Sequence, residues 1–401
     1  MSLLPVDEAL RRILDGVAPL PSERIDLLAA PGRVLATNVI AGLTQPPFNA
    51  SAMDGYALRA EDTTTIPAEL SIIGEASAGG PFDGSVGARQ AVRIFTGGSV
   101  PAGADAVVIQ EDTERSGVRL TVNEGVKPGA NIRRAGSDFR AGETLLQAGR
   151  LLDASTITLA AAGGHAELEV RRRPRVAILA TGDELVQPGT ELHSGQIISS
   201  NPYGLAALVR AFGGEPRLLG IAGDSMDDLD AKLTLAGDTD VLVTIGGASV
   251  GDRDLVKPAL EARGMALDFW KVAIRPGKPM LFGRLGAGRV LGLPGNPLSC
   301  LIAARIFLVP LLFALQGRTD NPLKEQAAVL SADLDANGPR QHYMRARLEP
   351  AAGALPRVAA LAFQDSAHIS ALAGADALIV RPPCALATKA GEVVRVLPLD
   401  F

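Results

Sequence analysis

A chain of 401 residues with 47% hydrophobic and 21% charged content can bury several cores, which implies about two to four domains and excludes a disordered scaffold. A net charge of −5 argues against a surface that wraps nucleic acid, which would need clustered Lys and Arg, so any phosphate must be met locally. The only two cysteines, Cys300 and Cys384, lie far apart without CxxC spacing and fit a reducing cytoplasm better than a secreted disulfide framework.

The first segment, MSLLPVDEALRRIL, reads as an amphipathic helix and not as a signal peptide. Its acids precede the basic pair, Pro5 suits a first turn, and Val6, Leu10, Ile13, Leu14 and Val17 form one apolar stripe. Residues 44–141 are rich in Gly, Pro and Thr and carry ELSIIGEA, AVRIFTGG and DAVVIQED, the pattern of a β-rich insert domain. Its flanks, 1–43 and 142–173, read as one discontinuous helical linking domain. The second flank holds DASTITLAAAGG, with Asp153 as cap and Gly163 as stop.

Across 174–317 the order strand, loop, helix repeats, which predicts a three-layer α/β/α domain with a mostly parallel sheet in an α/β multidomain chain. Asn201 and Pro202, followed by GLAALVRAF and Gly213, mark a helix within it. The run PLSCLIAARIFLVPLLFALQ at 297–316 is long enough to span a bilayer of about 30 Å. Arg305 and Pro310 count against that, so a buried core helix is expected, with Arg305 reaching the surface and no membrane contact. The tail, 318–401, places five short strand-like runs at close spacing, a small β-barrel or sandwich, of which the barrel is taken.

Three apolar strands run into glycine-turned polar loops: RVAILATGDEL at 175–185, DVLVTIGGASVGDRD at 240–254 and RVLGLPGNPLS at 289–299. Loops beyond the carboxyl ends of parallel strands line a common crevice, so these three are expected to share a pocket for a small anionic substrate. Gly247, Ser249 and Gly251 form a G-x-S-x-G that, with Asp268 and His342 or His368, would suit a serine hydrolase. Glycine-flanked serines at strand ends also arise where backbone amides approach an anion.

TGDEL offers Thr181, Gly182 and two carboxylates, although Asp183 also suits a capped turn. Asp224 and Asp254 sit where strands give way to helices, and each alone can simply complement a helix dipole. Three acids recur in this way, and that recurrence points to a metal. If Glu184, Asp224 and Asp254 converge at about 4 Å, each pair repels by about 4 kcal/mol at an effective dielectric of about 20. Oxygen ligands select a hard ion, Mg2+ with retained waters and phosphate oxygens, over zinc, since four histidines without HExxH spacing make a poor zinc site.

Cationic counterparts lie in IRPGKP, where Arg275 and Lys278 are held among prolines. In LPGNP, the residues Pro294, Gly295, Asn296 and Pro297 open the long helix, whose first amides can receive an anion. No Walker A pattern accompanies them. In the insert, QPPFNASAMDGYAL contains an Asp54-Gly55 pair that reads as a turn or as a ligand-facing edge beside Met53 and Tyr56. Thr96, Arg133, Arg134 and Asp138 add polar groups at loop positions.

Eight motifs in order, PPFNASAMDGYAL, FTGGSVPAGADAVV, NIRRAGSDFRAGE, TGDEL, SNPYGLAAL, GGASVGDRD, RPGKP and GLPGNPLS, together resemble MoeA-type molybdopterin molybdenumtransferases and the E domain of gephyrin. The resemblance implies insertion of molybdate into adenylylated molybdopterin, with Mg2+-dependent cleavage of the adenylate and release of AMP and molybdenum cofactor. It further implies a homodimer and transient contact with other cofactor-assembly proteins. Carried over by motif, Asp54 and Thr96 would come from the partner, with Asp138 nearby, while Glu184, Asp224 and Asp254 would come from the α/β domain. Thr181, Gly182, Gly246, Gly247, Ser249 and Gly251 would cradle substrate, and Lys278 with the Pro294–Pro297 turn would hold pterin or phosphate groups. Arg345 and Ser366 resemble positions near the molybdate site. Ala248, Asn49-Ala50 and Arg275 depart from the family pattern, and arginine at 275 keeps the charge as a planar fork. A non-enzymatic dimeric scaffold is the other alternative beside the hydrolase.

Overall fold

Residues 3–247, 255–365 and 369–399 are described by the computed structural model. The strand Arg175–Thr181 is apolar throughout its interior because it is covered on both faces. Val176 and Ile178 enter one core with Leu205, Leu208 and Ile306, while Ala177 and Leu179 enter a second with Leu229, Leu233 and Leu260. This period-two division between two helical layers is what a parallel sheet buried on both sides requires. The sheet runs in the order Glu215–Ala222, Arg175–Thr181, Val241–Ile245, Gly288–Leu293, Leu281–Leu285, Ala266–Trp270. The first four strands are parallel and the last two antiparallel.

The run 297–316 is a helix buried almost throughout, built as α-turns at Pro297–Ala303 and Val309–Gln316 around a π-helical stretch at Ala304–Leu308. Pro310 brings no backbone N–H to the ladder, and the widened turn lies just before it. Arg305 does not reach the surface as expected. It is 2% exposed, its Nη1 donates to the Pro322 carbonyl at 2.7 Å, and its guanidinium stacks over Phe212. A buried arginine persists where carbonyl and ring replace water.

The N-terminal helix Val6–Leu14 lays Val6, Ala9 and Ile13 against this same α/β core, and not against the linking segment. The two flanks of the insert meet through strands: Ser22–Asp26 pairs with Glu167–Arg171, and Val39–Ile40 with Thr144–Leu146. Helix Ala154–Ala162 joins them, opened by a capping box in which the Asp153 carboxylate accepts from the Thr156 N–H at 2.9 Å.

Within the insert a six-stranded sheet runs Ala106–Ile109, Gly55–Leu58, Gln90–Ile94, Ala68–Ala76, Arg119–Val122, Thr113–Ser116. Gly55 begins a strand here and turns no corner. Glycine is needed because a Cβ would stand 1.9 Å from the Val108 carbonyl oxygen. In the tail, Gln326–Leu330, Gln341–Glu349, Arg357–Ala360, Ala377–Arg381 and Val393–Pro398 close into a five-stranded barrel. The short strand Ile274–Arg275 of the α/β unit adds to this barrel, with Arg275 in register with His342.

Candidate active site

From the strand Arg175–Thr181 the chain steps to one side, to Glu215–Ala222, and then crosses to the other, to Val241–Ile245. That reversal leaves a crevice beyond the carboxyl ends, the usual ligand position of an open α/β sheet. A cavity of about 870 Å³ occupies it, walled by loops after four strands, by the IRPGKP turn and by part of the barrel.

The loops approach too closely for side chains. Gly182 has φ of 143°, and a Cβ there would fall 2.5 Å from the Glu184 carboxylate. Gly246, with φ of 85°, would place a Cβ 2.9 Å from the Thr181 carbonyl oxygen. Thr181 closes the contact by donating its Oγ1 proton to the Ile245 carbonyl at 3.3 Å. Glycine alone lets these backbones touch while the following residues turn outward.

Glu184 and Asp224 both line the cavity. The loop bearing Asp224 is tied down by several bonds. Gly182 N–H donates to the Ala222 carbonyl at 3.1 Å, Gly223 N–H to Asp228 Oδ2 at 2.6 Å, and Asp224 N–H to Asp183 Oδ1 at 2.8 Å. Asp183 therefore bridges to the neighbouring loop and does not cap its own. Among the described residues no group of three His, Cys, Asp or Glu gathers as a metal cluster. The third expected acid, Asp254, lies outside the described residues, as do Ser249, Gly251, Ser366 and His368.

The same cavity also carries cations. Arg275 and Lys278 line the cavity from the IRPGKP turn, where Gly277 has φ of 106°, and neither finds a carboxylate partner among the described residues. Pro294, Gly295, Asn296 and Pro297 line it from the end of Gly288–Leu293, together with Gly246 and Gly247. Two helices point their N-termini here, one beginning at Asn201 and the other at Pro297. Their free first-turn amides favour anions. Asn201 spans the two, its Nδ2 donating to the Gly295 carbonyl at 2.7 Å.

The barrel contributes Arg340, Gln364 and Asp365, none of which the sequence had singled out. Arg345, which the resemblance sets near the molybdate site, is wholly buried and does not itself line the cavity. Its Nη1 donates to the Asp365 carbonyl at 3.0 Å and its Nη2 to the Phe363 carbonyl at 2.5 Å, and burial pushes its pKa down. Arg340 lies in the bend just before the strand Gln341–Glu349, which carries Arg345. No local pattern in the sequence marked Arg340 as the residue that reaches the cleft.

The insert's residues stand apart from the cavity of their own chain. Asp54 Oδ1 accepts from both Thr96 N–H and Thr96 Oγ1 at 2.8 Å, and these bonds hold its carboxyl below the usual range. Arg93 lies close by, between the rings of Tyr56 and Phe95, donating to the Gly55 carbonyl. Asp138 is exposed on a separate loop. The structure thus joins Asp54 to Thr96 but joins neither of them, nor Asp138, to Glu184 and Asp224.

The hydrolase alternative finds no support in this geometry. Asp268 accepts from Arg12 of the N-terminal helix at 3.2 Å, His342 is 6% exposed in the barrel seam, and neither lines the cavity.

Three family profiles match the chain in order: the MoeA N-terminal region, domains I and II, at 4–164, a probable molybdopterin binding domain at 177–314, and the MoeA C-terminal region, domain IV, at 327–399. A molybdopterin molybdenumtransferase of Haemophilus influenzae is 34% identical, with 99% of each chain covered. One from a Nostoc species is 38% identical over 95% of this chain and 89% of its own length. Among solved structures, the molybdopterin biosynthesis moeA protein of Pyrococcus horikoshii OT3 superposes with a TM-score of 0.86 at 29% identity, covering 99% of this chain and 100% of that one.

Proposed function

Because the chain belongs to the MoeA family of molybdenum cofactor biosynthesis, we propose that it is a molybdopterin molybdenumtransferase, inserting molybdate into adenylylated molybdopterin with Mg2+-dependent hydrolysis of the adenylate and release of AMP. The observation that carries this is one cavity whose walls carry the carboxylates Glu184 and Asp224 together with the cations Arg275, Lys278 and Arg340. A phosphoanhydride held among such groups has its charge neutralised by the cations and its metal held by the carboxylates.

Arg275, Lys278 and Arg340, with the helix ends at Asn201 and Pro297, present donors for phosphate or molybdate oxygens. Glu184 and Asp224 offer hard oxygen ligands. Two carboxylates with substrate phosphates suffice for Mg2+, which keeps several waters, so the donor set fits. Asp254 is the third acid that the resemblance adds. Bound there, Mg2+ supplies charge neutralisation on phosphate oxygens. The carboxylate of Asp224 orients the attacking oxygen in line with the scissile bond. The flanking glycines bring backbone amides to the phosphates without steric cost.

The Asp54 and Thr96 pair is formed and exposed, yet outside its own chain's cleft. This supports a homodimer in which the partner's insert closes the cavity with that pair. The two free cysteines support a reducing, cytoplasmic setting.

Purified protein given adenylylated molybdopterin, Mg2+ and molybdate should release AMP and active cofactor. Asp224→Ala should lose cleavage while still binding substrate, and complete loss of binding would count against its role.

A further inference from the structure

The TGDEL loop divides its work between adjacent residues. Gly182 and Glu184 line the cavity, whereas Asp183 between them does not. The φ of 143° at Gly182 swings the chain so that Asp183 faces the next loop, where its Oδ1 accepts the Asp224 N–H at 2.8 Å. Gly223 permits that approach, because a Cβ there would stand 3.1 Å from the same oxygen.

We propose that Asp183 is a positioning residue for the cleavage step: its carboxylate grips the backbone of Asp224 and so sets where the Asp224 side chain stands in the cleft. This rests on the reading of Asp224 given above. Gly182 to Ala222 and Gly223 to Asp228 hold the chain before Asp224, Ser225 to Gly223 closes it behind, and the Asp183 bond grips the Asp224 backbone N–H directly. Released at that point, the loop keeps its neighbouring ties while the Asp224 backbone shifts, and its reactive carboxylate shifts with it. Misplacement of about 1 Å in a reacting group costs up to about 100-fold in rate. The role needs an acceptor oxygen and no charge, which separates it from metal ligation.

The test is a kinetic cycle on AMP release from adenylylated molybdopterin at saturating Mg2+ and molybdate. Asp183→Ala should lower kcat by about 10- to 100-fold with KM changed less than about threefold. Asp183→Asn, whose amide oxygen accepts the same N–H, should restore kcat to within about threefold of the wild type. In an Asp224→Ala background, Asp183→Ala should have no further effect, since both changes remove one function. An Asp183→Asn protein as slow as Asp183→Ala, or effects that multiply in the double variant, overturns the inference. Should Asp183→Ala fold poorly, hydrogen exchange in the wild type decides: a protected Asp224 amide supports the bond, and free exchange overturns it. An inactive Asp224→Ala beside a fully active Asp183→Ala sinks the inference alone. Full turnover by Asp224→Ala sinks the reading of Asp224 and the inference with it.

Discussion

His342 provides a sharp test of the seam that carries cations of the cavity. It is 6% exposed, in register with Arg275 on one neighbouring strand and Arg381 on the other. Burial, then the guanidinium charges of Arg275, Arg340, Arg345 and Arg381, push its pKa down to about 4 from 6.5. The folded state therefore resists a proton that the unfolded chain accepts. Stability from this source is complete above pH 6.5, falls as pH drops from 6.5 towards 4, and falls no further below that. The full span is worth about 3 kcal/mol, and moving from pH 7 to pH 5 costs about 2 kcal/mol. The assay is denaturant unfolding at pH 7 and pH 5, followed by a probe in the barrel, for the wild type and His342→Gln. Glutamine has no proton to take up in this range, so its pH dependence should be smaller by that amount. Equal pH dependence in the two proteins, or a His342 ring that titrates near 6.5 by NMR, would refute the reasoning.

Other outcomes follow from the same structure. Gly55→Ala drives a Cβ into the Val108 carbonyl, and should destabilise the insert by about 1–3 kcal/mol, seen as earlier proteolysis between residues 55 and 122. Lys278→Ala removes a cation with no acidic partner among the described residues, and should raise KM about 10- to 100-fold while flattening its salt dependence. Thr96→Val deletes one of the bonds that depress the Asp54 pKa, so the acidic limb of kcat/KM should move to higher pH. An unmoved limb would detach Asp54 from the reaction. Asn201→Asp exchanges the donor at Gly295 for an acceptor, and should weaken AMP binding in equilibrium titration without unfolding the chain.

Where local pattern determines structure, the sequence was readable. Apolar runs at Val176–Ala180 and Val241–Ile245 imply strands covered on both faces, and the glycines after them imply tight loops at one end of a sheet. Convergence of Glu184, Asp224, Arg275 and Lys278 on one cavity follows from that topology. What stayed hidden depended on partners distant in sequence. The stripe of Val6–Leu14 shows that the helix is packed, but not that its partner is the α/β core and not the linking segment. Arg305 could not be placed without knowing that Pro322 offers its carbonyl. Asp54-Gly55 resembles a turn because the reason for the glycine is a neighbouring strand, Ala106–Ile109. Arg340 went unmarked because it lies in a bend between elements, where no motif or periodicity singles it out.

The strand Ile274–Arg275 belongs to two bodies at once, continuing the α/β chain while paired with the start of the barrel strand Gln341–Glu349. The last eighty or so residues are thus no detachable appendage. A gene ending after Gly317 would strip the cleft of Arg340, Gln364 and Asp365 and leave the backbone beneath Arg275 without its ladder partner. The α/β unit and the barrel thus share one ladder and one cleft, and cutting between them breaks both.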